Sequence, residues 1–158
     1  MTRTENIGSY SKGYEKFITA VNELPKEMWD FKPAPDKWSV NEIIIHMADS
    51  EANSFTRARK IICEPGSTIT AYDQDLWAVK TNYLSQSTGD ALELFKNLRK
   101  MTYKVIKDLP ESTWSNFIIH PENGKMTLDD WLTVYENHVT VHINQMKRNF
   151  NDWQKSKS

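Results

Sequence analysis

A chain of 158 residues, 39% of them hydrophobic, is long enough for one domain that buries about two thirds of its unfolded surface. Twenty basic and 21 acidic residues leave a net charge of -1, with no basic run outside the Lys155 to Lys157 tail, so no long-range field draws the chain to nucleic acid. The apolar runs are only a few residues long and Met1-Thr2-Arg3-Thr4-Glu5-Asn6 has no hydrophobic signal core, which argues against a membrane partner and for a cytoplasmic protein.

The periodicity predicts a first helix near residues 7 to 24, with Tyr10, Tyr14, Phe17, Ile18, Val21 and Leu24 recurring at three and four. Pro25 ends it, and Pro33 and Pro35 mark a loop. A second helix is expected from Ser39 to about Cys63, with Val40, Ile43, Met47, Phe55, Ala58 and Ile62 inward and Cys63 as a packing residue. Residues 64 to 89 then form a long polar crossover holding a short helix near residues 71 to 78. A third helix is predicted over about Asp90 to Leu109, its buried stripe being Leu94, Leu98, Met101, Val105 and Leu109. An extended piece and an Asn123-Gly124 turn fit between it and the last helix, and His120, which precedes Pro121, is expected to be exposed or at a site rim.

Leu24-Pro25 with Trp29 and Leu109-Pro110 with Trp114 repeat at an offset of 85 residues, as in two helical hairpins related by a pseudo-twofold axis. The fold class is therefore all-α: an antiparallel four-helix bundle with a long crossover between helices two and three, one domain over residues 1 to 158 with its core near 8 to 150.

The chemistry sits in three of the four histidines. His138 and His142 are one turn apart on an apolar helical face, so their imidazoles project about 6 Å apart. His46 lies on the apolar face of the second helix, and both helices start on a capping-box pattern, Ser39-x-x-Glu42 and Thr127-x-x-Asp130. Counted from those caps, the three histidines fall on matching faces, which points to a shared metal ion between the second and fourth helices; the other reading is histidines hydrogen-bonded to neighbouring helices or half exposed at a bundle end.

Trp38-Ser39-Val40-x-Glu42-Ile43-x-x-His46-x-x-Asp49-Ser50-Glu51, then Arg57 and Arg59, then Gly124-x-x-Thr127-Leu128-x-x-Trp131-Leu132 leading to His138-x-x-x-His142-x-x-Gln145, resembles the DinB-like superfamily over about residues 8 to 150. That superfamily includes YfiT-type proteins classed as metal-dependent hydrolases and the bacillithiol and mycothiol transferases. The resemblance implies a divalent ion, zinc or nickel, on His46, His138 and His142, with further coordination positions open, and a homodimer.

An open three-histidine site can acidify a water, polarise a carbonyl or bind a thiolate. Two classes of function follow: a metal-dependent enzyme acting on a small molecule, either a hydrolase or a low-molecular-weight thiol S-transferase, and a non-catalytic metal-binding or stress-associated interaction protein. Asp49, one turn after His46, is the candidate general base, or an acceptor for an imidazole N–H. Gln145, close after His142, can orient a ligand or water, and Tyr135 can reach the site or pack in the core. Arg57 and Arg59, 11 residues or more from His46 and so about 16 Å along the helix, are expected to pair with acids such as Glu51, Asp73 or Asp75. Trp38 and Trp77 are expected at the pocket mouth, with Trp29, Trp114 and Trp153 at loop and bundle ends.

Overall fold

Capping boxes start the three longest rods of the computed structural model, which describes residues 1–158. Ser39 accepts from the Glu42 N–H while the Glu42 carboxylate takes the Ser39 N–H at 2.8 Å, opening α3 (Val40–Cys63). Thr127 and Asp130 repeat the exchange to open the last helix (Leu128–Ser156), with Asp130 holding the Thr127 N–H at 2.9 Å. A third box, Thr2 with Glu5, starts α1 (Arg3–Ser11) four residues earlier than its apolar periodicity predicted.

The first rod is not one helix. It breaks at Lys12, whose φ of -92° and ψ of 2° lie outside the helical well, and resumes as α2 (Gly13–Asn22). The break coincides with a close approach: a Cβ at position 13 would lie 2.1 Å from Nη1 of the buried Arg99, so only glycine fits there. Tyr10, Phe17 and Val21 point into the core as predicted, and Pro25 ends the rod, leading into a single 3-10 turn over Lys26–Met28.

α3 is followed by α4 (Gln74–Lys80) within the crossover, α5 (Thr88–Ile106), the hairpin β1 (Phe117–His120) and β2 (Gly124–Thr127), and α6 (Leu128–Ser156). The rods α1/α2, α3, α5 and α6 form the four-helix bundle, α3 and α1/α2 each packing on both α5 and α6. The hairpin is antiparallel with His120 opposite Gly124, whose φ of +73° supplies the left-handed residue that a short loop needs. The crossover joins this hairpin at its start: Gly66 N–H reaches Phe117 O at 2.7 Å, and Ile69 N–H reaches Ile119 O at 3.1 Å.

The buried stripe of α5 differs from the prediction. Ala91, Phe95, Arg99, Thr102 and Ile106 face inward, whereas Leu94, Met101 and Val105 are exposed and Leu98 and Leu109 are half-buried. An inward arginine decides the rotation, because Glu51 and Tyr10 hold Arg99 in the core. Cys63 is exposed rather than packed. His120 is buried rather than exposed, its Nδ1 accepting the Glu122 and Asn123 N–H groups at 3.2 Å each and so closing the hairpin loop. No helix is long and apolar enough to cross a membrane.

Candidate metal centre

α3 and α6 run antiparallel, and the phase set by their two capping boxes brings His46 against His138 and His142. The Nε2 of His138 lies 3.3 Å from that of His46 and 3.0 Å from that of His142, and ligand atoms of the three rings all lie within 4.8 Å of one another. A tetrahedral ion with metal–nitrogen bonds of about 2.0–2.1 Å separates its nitrogen ligands by about 3.3 Å. The spacing therefore suits three imidazoles on one ion.

Internal hydrogen bonds do not account for the burial of these rings. Gln145 Oε1 lies 2.8 Å from His142 Nδ1; with the proton assigned there, Nδ1–H donates to the amide and the Nε2 lone pair faces the other two histidines. The Nδ1 of His46 is buried without any partner. Burial, with the charge of His142 second, pushes the pKa of His46 down to about 3. Burial also lowers His138 to about 2, followed by His142, His46 and Arg99, and lowers His142 against the opposing bond to Gln145. Neutral imidazole is the form that binds a metal, so the core holds all three in the ligating state at neutral pH.

Around the rings, Trp38 packs on His46 with centroids 4.7 Å apart, and Tyr135 meets His138 edge-on at 6.2 Å. A cleft of about 580 Å³ opens onto His142 and Gln145, walled by Trp38, Glu42, Asp75 and Ala78. Trp38 thus stands where the sequence placed it, while Trp77 lines a different pocket. Asp49 makes no hydrogen bond to an imidazole: its Oδ2 accepts from the Tyr83 hydroxyl at 2.5 Å, and burial, followed by that bond, raises the Tyr83 pKa.

Neither Arg57 nor Arg59, both half-buried, finds the acid expected for it. Arg57 Nη1 donates to the Tyr135 hydroxyl at 2.9 Å, and Arg59 lies over the Phe55 ring and bonds Phe55 O at 3.2 Å. Glu51 pairs instead with Arg99, through bonds of 3.1 and 2.9 Å, and also accepts from Tyr10 at 2.9 Å. Arg99 was invisible to periodicity because charged residues are ordinarily assigned to the solvated face; the signal was Gly13, a glycine in the middle of the first apolar periodic stretch.

Residues 9–146 match the DinB superfamily, which takes in α3, α5 and the histidines of α6. The chain belongs to the DinB superfamily. Among its relatives, a protein of Oceanobacillus iheyensis is 28% identical over 123 residues, covering 78% of this chain and 71% of the relative. YfiT of Bacillus subtilis is 24% identical over 137 residues, 84% and 77% of the two chains. Both carry names that class them provisionally as metal-dependent hydrolases. The solved structure of Bacillus subtilis YfiT superposes with a TM-score of 0.85 at 21% identity, covering 94% of this chain and 87% of that one, and is described as an unusual four-helix bundle. Within the superfamily fold, this chain thus keeps a three-histidine group that could hold a metal.

Proposed function

We propose that this DinB-superfamily chain binds one divalent ion, zinc or nickel, through His46, His138 and His142, and hydrolyses an ester or amide of a small molecule. The observation that carries the reading is the convergence of three neutral Nε2 atoms, 3.0 and 3.3 Å apart, in a core that offers them no other complete set of partners. A divalent ion on three imidazoles supplies an acidified water and a polarised carbonyl. The names of the relatives from Oceanobacillus iheyensis and Bacillus subtilis support the hydrolytic branch over thiol transfer.

The chain's own residues divide the remaining work. Gln145 fixes the ring of His142 and the face it presents. Asp49 keeps Oδ1 free to take a proton while the Tyr83 hydroxyl holds Oδ2 in place. Trp38 and Ala78 wall the cleft that leads to His142 and limit water around the scissile group.

Elemental analysis of untagged protein purified without chelator, beside His138→Ala, tests the ligand set. Near-stoichiometric metal that disappears in the variant is expected; equal content in both proteins would refute it. Hydrolysis of a 4-nitrophenyl ester series, lost in His142→Ala while far-UV circular dichroism is retained, tests the reaction, and acceleration only on addition of a low-molecular-weight thiol would move the assignment to thiol transfer.

A further inference from the structure

α4 separates two pockets. Ala78 and Val79 face the histidine cleft, whereas Trp77 faces a second pocket of about 490 Å³ between α3 and the crossover. That volume lies in the range that holds small organic ligands. Its walls carry two cations, Arg57 and Lys60, the hydroxyls of Thr56, Thr68 and Thr70, and no carboxylate.

Arg57 is the unusual member. It is half-buried, forms no ion pair, and has one hydrogen bond, to the neutral Tyr135 hydroxyl. No carboxylate pairs with it: Asp49 faces Tyr83, Glu64 pairs with Lys60 at 2.8 Å, and Asp73 caps the Leu76 N–H. Elsewhere in this bundle a buried guanidinium is ion-paired by a glutamate, as Arg99 is by Glu51. Shielding a guanidinium without a counter-ion is costly, and its fork of donors fits a carboxylate or phosphate in two-point contact. The Trp77 indole, packed on Tyr72 with centroids 4.7 Å apart, offers an apolar face beside that charge.

We propose that this pocket binds a small organic oxyanion, Arg57 anchoring the charged group and Trp77 taking the flat apolar part. The site stands apart from the metal reading, since none of its lining residues is one of the three histidines. The thread between them is Tyr135, which receives the Arg57 bond and packs on His138.

Nuclear magnetic resonance of the full chain tests it, following the Trp77 indole N–H and the Arg57 Nε–H at constant ionic strength. The probes are phenyl phosphate, 3-phenylpropionate and benzyl alcohol. Both signals should shift saturably with at least one anion, about tenfold or more tighter than with the neutral alcohol, the worth of one charge-assisted bond. Whichever anion binds tighter identifies phosphate or carboxylate as the recognised group. Arg57→Gln should lose that tenfold advantage. Asn53→Asp, which leaves Arg57 and its Tyr135 bond intact but sets a carboxylate one turn before it, should compete for the guanidinium and lose the advantage as well. His138→Ala should bind the probes as wild type does. Equal affinity for benzyl alcohol, undiminished anion binding in Asn53→Asp, or shifts that bypass Trp77 would each overturn the proposal.

Discussion

Glu51 and His46 leave α3 little more than one turn apart, yet the polar clusters they enter are built differently. Around Glu51 the core supplies its own complement: Arg99 reaches both carboxylate oxygens and the Tyr135 carbonyl, the latter at 3.0 Å, and Tyr10 adds its hydroxyl. Burial lowers the Arg99 pKa, but Glu51 and Tyr10 more than restore it, so the charge survives in the core. Around His46 three nitrogens face one another, and Gln145 is the only outside partner among them. The Glu51 carboxylate is thus matched by the chain on both oxygens, and only Arg99 Nη1 in this cluster is left without a partner. The histidine group is matched on one side and left converging on the other, the arrangement a ligand site requires.

The sharpest way to break that contrast is Arg99→Ala, which strands Glu51 in the core; the expected loss is about 3–5 kcal/mol, or about 6–20 °C in melting temperature. Replacing both partners by apolar residues, Glu51→Leu with Arg99→Met, should recover much of that loss, and a double variant no more stable than the single one would show that the pair does more than neutralise itself. On the histidine side, Gln145→Ala should leave the melting temperature of chelator-stripped protein nearly unchanged and weaken metal binding by about 10–100-fold, measured by competition with a chromophoric chelator.

Acid separates the clusters next. Unfolded histidine titrates near 6.5, and His46 and His138 in the fold near 3 and 2, so the unfolded chain binds more protons throughout the interval between. Stability of the stripped protein is therefore full above about pH 7 and falls as pH drops toward 3. The first step, from about pH 7 to about pH 6, costs about 0.7 kcal/mol for each of the two histidines, readable as a shift in urea midpoint. The metal-loaded protein should lose the same increment from a higher starting stability, since the proton uptake over that step belongs to the unfolded chain. The smallest effect belongs to the face that periodicity misassigned: Leu94→Gln and Met101→Gln should each change monomer stability by less than about 0.5 kcal/mol, whereas Phe95→Ala, on the true stripe, should cost about 3–5 kcal/mol.

The site was legible because helix starts and helix phase are local properties. Ser39 with Glu42 and Thr127 with Asp130 fix where two helices begin, and counting from them orients the histidines before any tertiary contact is known. The α5 stripe was not legible: Leu94, Leu98, Met101 and Val105 form a regular apolar series, and only the pairing of Arg99 with a glutamate 48 residues earlier turns the helix the other way. His120 was misread for a similar reason, since its burial depends on the N–H groups of the loop that follows it. The partner of Asp49, Tyr83, comes from the crossover, whose course no spacing rule specifies.

The crossover is tied down at two places, by Gly66 and Ile69 to the hairpin strand and by Tyr83 to α3. Between those ties it carries α4, which contributes a wall to both pockets. Closing a longer loop between fixed ends costs only a logarithmic increment, about 0.6 kcal/mol for each doubling of length. Insertions between Ile69 and Tyr83, and substitutions there that spare the core residue Ala78, can therefore reshape both pockets at once while the bundle and its histidine group stay as they are.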